Sequence, residues 1–465
     1  MNKFKLIKLA LLPVVLFALQ SCFTAEQYVR PDVLDERFYR TDQLPQDSLT
    51  VAEISWQELF EDPYLAGYIE RGLANNIDIR IALEQIEAAR AYYRQGKAGY
   101  YPSLNAGAQA AAQQSSENGA QGGVNATQYD LSATLSWEAD IWGKIGSQKR
   151  AFEASYLQTA AAHKAVKTEL IANIATIYYQ LLALDEQLRV TEESIENREN
   201  SLRTTRALKE AGHGFVTEVA VRQTEAQVYS ARALRVDLLT NIKLLENTLS
   251  LLLGETPHEI ERSRLDQQEI AAELKTGYPV QLLRNRPDVI AAEYNLIRAF
   301  ELTNVARSQL YPSLVISGSA GFQSLELDNL FSVNSLFSNV IGSLTQPIFN
   351  GRQLRTQHEV AQSQQEQAFL NFRRAILIAG KEVSDALYSH QAAEEKIDIQ
   401  LKQYEAYQAA TELSEELMAN GLINYLELLT ARENALSAQL GLINAEFEKL
   451  STTVELYRAL GGGWE

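Results

Sequence analysis

The second half of the chain repeats the first, and no other feature restricts its possible folds as much. Gly214 has a counterpart at Gly421 and Gly254 at Gly461, both at a step of 207 residues. Trp142, just before a glycine, maps onto Phe349 at the same step of 207, and Tyr101-Pro102-Ser103-Leu104 recurs as Tyr311-Pro312-Ser313-Leu314 at a step of 210. An offset held over so long a stretch marks two copies of one structural unit. The ten prolines fit the same plan, because none falls between residues 103 and 256 or between 348 and 465. Proline breaks helix interiors, so these gaps leave room for very long helices.

From Ser147 to Ala211, 65 residues carry neither Gly nor Pro. At the usual rise per residue such a run spans up to ~98 Å of helix. Gly212-His213-Gly214 breaks it, and Phe215 to Leu253 follows without a break. Ile174, Leu181, Leu188, Ile195 and Leu202 recur every seven residues, a coiled-coil period. The companion seam starts apolar at Ile177 and Leu184 and turns polar at Thr191, Arg198 and Thr205. That pattern predicts a helix with one narrow apolar edge and a wide wetted face. In the second copy Ile397, Tyr404, Thr411 and Met418 hold the spacing, while Gly380 and Gly441 predict bends.

Four segments alternate as strands do. Tyr129, Leu131, Ala133, Leu135 and Trp137 face one way, and Asp130, Ser132, Thr134, Ser136 and Glu138 the other. Leu104 to Ala110 and Leu314 to Phe322 alternate likewise, and a weaker segment covers about 336 to 348. The stretch from Gln114 to Gln128, rich in Gly, Ser, Asn and Gln, predicts an exposed hairpin loop. Each segment has the length of a tilted membrane strand. A small soluble sheet is the other reading. Four strands cannot close a membrane barrel, since the smallest need about eight, so spanning lipid requires several chains to share one barrel.

The amino terminus reads as a targeting segment. Lys3, Lys5 and Lys8 precede an apolar run from Leu9 to Leu19, too short to span as a mature helix. Leu19-Gln20-Ser21-Cys22 follows and resembles a lipobox, although Gln20 departs from the usual small residue. Cys22 is the chain's only cysteine, so an internal disulfide is excluded, and an ordinary secretory signal is the alternative. No later apolar run approaches the length of a membrane-spanning helix. A formal net charge of −17 and the lack of a basic stripe exclude nucleic acid as a partner. The five histidines are scattered without metal-ligand spacing, and neither a phosphate loop nor a nucleophile elbow occurs. The chain is therefore read as neither an enzyme nor a metalloprotein, with no cofactor beyond a covalent lipid (palmitate among its chains) on Cys22.

Several motifs in order resemble one family. Trp56-Gln57-Glu58-Leu59-Phe60-Glu61-Asp62-Pro63 is similar to its opening motif, followed by Asn76, Ala82 and Ala88-Ala89-Arg90. Asp140-Ile141-Trp142-Gly143-Lys144 and Pro347-Ile348-Phe349-Asn350-Gly351-Arg352 resemble its two exits from barrel to helix. The most specific match is Leu282-Leu283-Arg284-Asn285-Arg286-Pro287-Asp288-Val289 with Ala291-Ala292-Glu293. Over about residues 55 to 463 the chain resembles the TolC-like outer-membrane factors, within them the lipoprotein branch often called NodT-like.

The resemblance implies a mixed α and β membrane protein. Three chains would give four strands each to a twelve-stranded outer-membrane β-barrel, continuing into a long periplasmic α-helical barrel, with an internal two-fold repeat. It implies a signal peptide at 1–21 and a lipidated segment at 22–62. Repeat 1 would span 63–280, with strands about 101–140 and a helical hairpin about 144–254. Repeat 2 would span 281–465, with strands about 313–348 and a hairpin about 351–461. The implied function is the outer-membrane channel of a tripartite efflux system, passively exporting small molecules from an inner-membrane pump of the RND type through a periplasmic adaptor protein. Gly212, Gly214, Phe215, Val216 and Thr217 at one tip, with Gly421, Leu422, Ile423 and Asn424 at the other, would dock the adaptor. Glu427 and Thr430 would line the pore constriction, although the family often carries Asp where Thr430 stands. Arg286, Pro287, Asp288 and Glu293 would form a structural signature at the join between repeats. A non-conducting coiled-coil lipoprotein scaffold is the rival. The cargo stays open, though only Met1 and Met418 exist and a methionine-lined copper route has no support.

Overall fold

The computed structural model describes residues 25–32, 51–118, 123, 125–212, 216–268, 281–423 and 425–464. The signal segment 1–21, Cys22, Gly214, Phe215 and Asn424 lie outside the described residues. In chain order come helices α1 (Pro63–Asn75) and α2 (Ile77–Ala98), strands β1 (Ser103–Gln114) and β2 (Asn125–Ala139), and helices α3 (Lys144–Glu210) and α4 (Glu218–Leu252). Then follow helix α5 (Pro287–Ser308), strands β3 (Ser313–Ser324) and β4 (Leu336–Thr345), and helices α6 (Gln353–Ala419) and α7 (Tyr425–Leu460). The chain divides into two compact units. One takes the residues up to 32, 85–159 and 291–372; the other takes 33–84, 160–290 and 373–465.

The first unit is built on one antiparallel sheet in the order β1-β2-β3-β4. The outer strands reach further into polar sequence than alternation predicts. Gln113 pairs with Ala126 and Gln114 with Asn125, inside the stretch expected as a loop. Backbone hydrogen bonds carry a ladder whatever the side chains are, so side-chain polarity marks its end poorly. At the other limit β4 stops at Thr345 rather than near 348. Beside the sheet, Tyr92 stacks on Phe152 with ring centroids 5.9 Å apart, and Tyr93 stacks on Tyr156 at 6.1 Å.

The second unit is helical. Its core holds Leu65, Ile69, Ile171, Ile174, Tyr178, Leu181, Leu249 and Leu253, all buried. Asp62 caps α1 by accepting the amides of Tyr64 at 2.8 Å and Leu65 at 3.3 Å. It also receives the Tyr178 hydroxyl and the Gln268 amide, each at 2.8 Å. Burial works against the Asp62 carboxylate, but hydrogen bonds from Ser263, Tyr178 and Gln268 outweigh it and hold the group below the usual carboxylate range.

The long helices depart from the sequence reading in two ways. The polar seam of α3 is not a wetted face, since Thr191, Arg198 and Thr205 are buried. Thr205 Oγ1 donates to the Ser201 carbonyl at 2.8 Å, and Arg198 donates to Ser194, to the Gln227 carbonyl and to Glu433. Internal partners replace water at Arg198 and Thr205, while the Thr191 hydroxyl is buried without a hydrogen bond, so polarity at a coiled-coil position does not imply exposure. Gly380 and Gly441, expected to interrupt the second hairpin, sit inside continuous helices. A Cβ on Gly441 would lie 2.9 Å from Gln400 Oε1, so the residue serves close approach of α7 to α6 rather than a break.

Two helix ends match at the repeat spacing. α4 ends at Gly254 (φ 71), with the Glu255 amide on the Ser250 carbonyl at 2.9 Å, and α7 ends at Gly461 (φ 93), with the Gly462 amide on the Tyr457 carbonyl at 3.0 Å. Asn76 Nδ2 caps the Leu252 carbonyl at 2.8 Å, and Arg286 caps the Ala459 carbonyl at 2.9 Å. A Cβ would lie 2.6 Å from the Asn75 carbonyl oxygen at Gly254 and 2.5 Å from that of Asn285 at Gly461. Both sites demand a left-handed backbone and a missing side chain. Gly254→Ala and Gly461→Ala are each expected to lose about 1–3 kcal/mol of stability. Gly67→Ala, inside α1 with nothing within 4 Å, is expected to gain up to about 1 kcal/mol. Thermal unfolding of the detergent-solubilised protein gives both signs, and equal effects at the three sites would refute the assignment.

Candidate functional site

The sheet has a mainly apolar face and a mainly polar one, although Val315, Phe337 and Ile341 fall on the polar face. The register pairs Leu104 with Leu135, Leu131 with Phe322, Trp137 with Ile316, Leu314 with Leu344 and Gly318 with Val340, which places all of these on one face. The opposite face carries Asn105, Asp130, Ser132, Thr134, Ser136, Ser317, Ser319, Asn339 and Ser343. The apolar face is uncovered within the chain, with Leu104 69% and Val340 80% exposed. A contiguous apolar surface of this kind marks contact with lipid or protein. Aromatic rings gather at one end of the sheet. Trp137 Nε1 donates to the Tyr100 carbonyl at 3.0 Å, and Trp142 stacks on Tyr311. Membrane barrels carry such girdles at the water interface.

Residues 211–217 join α3 to α4, and 420–424 join α6 to α7. Gly421 (φ 69) closes α6, with its amide on the Met418 carbonyl at 3.0 Å and the Leu422 amide on the Leu417 carbonyl at 2.9 Å. In the first tip Gly212 (φ 79) takes this role, with its amide on the Lys209 carbonyl at 3.0 Å. The structural partner of Gly421 is thus Gly212, and the first tip is two residues longer than the second. Thr217 caps α4 by accepting the Ala220 amide at 3.3 Å. Val216 is buried, Ile423 half-buried and Leu422 exposed. The two hairpins meet just inside the tips, where buried Tyr425, Leu428 and Leu429 pack with Met418 and with Ala220 of the first hairpin.

Glu427 and Thr430 share the opposite face of α7. Both are exposed, beside exposed Leu426, while positions 425, 428 and 429 point into the cluster. The Thr430 hydroxyl is turned back onto the Leu426 carbonyl at 2.9 Å. A little further along the hairpins, buried Arg198 binds Glu433 at 2.6 Å, and Arg432 binds Glu415 at 2.7 Å and Ser201.

The signature residues fall into two groups. Pro287 opens α5, at the position where its missing amide costs no hydrogen bond. Arg286 is 4% exposed and meets Asp288 at 2.7 Å and Glu382 at 2.8 Å. Burial opposes the charges of both Arg286 and Asp288, but their mutual hydrogen bonds and attraction prevail. The guanidinium is held above its usual range and the Asp288 carboxyl below its own. Glu293 belongs to the other unit and receives Arg30 through two bonds of 2.6 and 2.5 Å. Burial and the Glu293 charge push the neighbouring Tyr28 hydroxyl up to about 12. Eight residues along α5, buried Glu301 receives Arg150 at 2.7 and 2.9 Å. Sequence reasoning missed Arg30, Glu301 and also Arg262, which joins Asp185 at 2.5 Å to Glu246 at 2.9 Å. Only the Glu293–Glu301 spacing on one helix face was a usable signal. Among the described residues no cluster of three His, Cys, Asp or Glu suits a metal ion, and no helix is long and apolar enough to cross a membrane.

Known proteins match almost the whole chain. Residues 68–255 and 278–462 fit the family described as outer membrane efflux protein. The probable efflux pump outer membrane protein SepC of Pseudomonas putida is 31% identical over 89% of this chain and 86% of its own length. The probable outer membrane lipoprotein SilC of Salmonella typhimurium is 29% identical over 98% of this chain and 99% of its own. Among solved structures, the outer-membrane channel OprN superposes with a TM-score of 0.88 at 27% identity, covering 95% of this chain and 100% of that one.

Arg286→Ala is expected to lower the thermal unfolding midpoint more than Asp288→Asn does. The first change frees two carboxylates and a helix-end carbonyl, whereas the second leaves Glu382 on the guanidinium. Because the folded Asp288 carboxyl lies below its unfolded value of 3.8, its contribution is present above that pH. It is lost as pH falls through the lowered folded value. Equal midpoints for the two variants at pH 7 would refute this ranking.

Proposed function

The chain belongs to the outer membrane efflux protein family, and from that premise we propose that three copies of it form a passive exit duct. Each copy gives four strands to a twelve-stranded barrel in the outer membrane, and the paired helices form a periplasmic tunnel below it. The observation that carries this reading is the sheet itself. It is mainly apolar on one face and mainly polar on the other, and β1 and β4 each have only one strand neighbour. Four strands fall short of the roughly eight that close the smallest membrane barrels, and three chains supply the difference.

The two halves, 63–280 and 281–465, act as alternating staves, so that three chains mimic a six-fold tube. The matched helix ends at Gly254 and Gly461 support this repeat. The signal peptide at 1–21 directs export, and a lipid on Cys22 anchors the segment 22–62 at the membrane. Support comes from the word lipoprotein in the name of SilC and from the anchored residues after Cys22, where Arg30 binds Glu293 and Asn304 Nδ2 holds the Glu26 carbonyl at 3.1 Å. A periplasmic adaptor docks on the tips at Gly212, Gly214, Phe215, Val216, Thr217, Gly421, Leu422, Ile423 and Asn424. An inner-membrane pump of the RND type supplies substrate and energy, and the chain itself performs no catalysis. At the narrow end three copies of Glu427 form a carboxylate ring that binds cations and favours opening when they leave, with Thr430 one turn away.

The decisive experiment joins mass to conductance. Detergent-extracted protein is expected at three times the mass of the mature chain and to form steady pores in planar bilayers. A monomer without conductance would leave the scaffold reading in its place. In the same bilayers Glu427→Gln is expected to reduce sensitivity to divalent cations, and unchanged conductance and selectivity would remove Glu427 from the pore. A Cβ at position 421 would meet no atom within 4 Å, but Gly421→Leu forces a left-handed backbone on leucine. Its expected outcome is lost efflux at an undiminished trimer level, and normal efflux would sink docking at that tip.

A further inference from the structure

One corner contact is made inside the chain, and its second half is left open. Where β2 leaves the sheet, Trp142 stacks on Tyr311, with ring centroids 5.1 Å apart and planes inclined by 27°. Its indole nitrogen donates to the Pro312 carbonyl at 2.6 Å. The contact follows from antiparallel pairing, because β2 ends against the start of β3, where Ala139 pairs with Leu314. Trp142 lies three residues past the end of β2, and Tyr311 lies two before the start of β3.

The same parts occur once more, unpartnered. Phe349 lies four residues past the end of β4, and Tyr101-Pro102 immediately precedes β1. Phe349 is 92% exposed, Ile348 98% and Tyr101 75%. β4 and β1 are the two edges of the sheet. Antiparallel pairing of β4 with β1 of a second copy carries the corner after β4 to the residues before β1.

We propose that Phe349 of each copy stacks on Tyr101 of the next, repeating between copies the contact that Trp142 and Tyr311 make within one. The partner is a second copy of this chain, and the inference rests on the shared-barrel reading above. Phenylalanine has no N–H to offer the Pro102 carbonyl. The contact between copies therefore keeps the stacking and loses the hydrogen bond, which makes the joint between chains the weaker of the two.

The chain's single cysteine, Cys22, leaves the background nearly free for introduced thiols. The double variant Tyr101→Cys and Phe349→Cys is treated in native membranes with a short bis-maleimide. The expected result is a ladder of covalently joined dimers and trimers. The in-chain pair Trp142→Cys and Tyr311→Cys is expected to be bridged within single chains and sets the reach of the reagent. Bridged single chains without a ladder from the first pair, at trimeric mass, would overturn the contact and leave the shared barrel standing. A monomeric mass would overturn both. A second reading avoids cysteine altogether: trimer dissociation on heating in detergent moves down for Phe349→Ala and up for Phe349→Trp. No shift in either variant would overturn the proposal.

Discussion

A strand edge presents backbone N–H and C=O groups that hydrocarbon cannot satisfy, and this chain carries two such edges, on β1 and β4. The apolar face of the same sheet calls for a lipid-like surface. The two demands conflict for a single chain, because an open sheet cannot bury its face in lipid while its edges stay unpaired. The proposed sharing of one barrel among copies would resolve the conflict, since each β4 edge would meet a β1 edge. In that proposed barrel the aromatic corners at the sheet's end would sit where lipid gives way to water, a level at which rings with one polar end are at home.

The helical portion obeys a different constraint. Beside its apolar core, the joints of this unit rest on a few buried polar groups with internal partners. Asn76 and Arg286 show two chemistries for one task, each capping the last carbonyls of a helix that ends in a left-handed glycine. The neutral amide needs nothing further, whereas the guanidinium brings a charge that must be matched, and Asp288 and Glu382 stand against it. Arg198 follows the same rule along the hairpin, where Glu433 and the Gln227 carbonyl complete its bonds. Arg262, between Asp185 and Glu246, does so in the connection after α4.

These polar joints also explain what the sequence hid. Strands were legible because alternation registers which face is apolar, as at Leu131, Leu135 and Trp137. Long helices were legible because Gly and Pro are missing from them. Burial of Thr191, Arg198 and Thr205 was not, since polarity alone cannot distinguish water from an internal partner. Gly441 read as an interruption because a glycine used for close packing looks the same in sequence as one used for a break. The match of Gly212 rather than Gly214 to Gly421 depended on backbone conformation, which a repeat offset does not carry. The Arg30–Glu293 and Arg150–Glu301 pairs join positions far apart in the chain without any local period. The tips at 211–217 and 420–424 and the exposed pair Glu427 and Thr430 were marked by helix breaks and by family likeness rather than by chemistry.

The tips differ from the rest of the wall in how they are held. Glu218 is paired with Lys209 and with Arg222, and Glu225 with Arg206, but all of these pairs face solvent. Exposed pairs of this kind are screened by salt and hold a geometry weakly. The two hairpins are joined there by a small apolar cluster, Tyr425, Leu428 and Leu429 with Met418 and Ala220, and next to it by Arg198 on Glu433 and Arg432 on Ser201. A short packed contact has few alternatives: its side chains interdigitate in one arrangement or separate. For the hairpins to tilt apart at the tip, as the proposed opening requires, this cluster and the Arg198–Glu433 and Arg432–Ser201 bonds must give way, while the polar joints at Asn76 and Arg286 hold the other ends of α4 and α7. A partner gripping the exposed Leu422 at the second tip would act directly on that cluster, four residues from Met418 and three from Tyr425 along the chain.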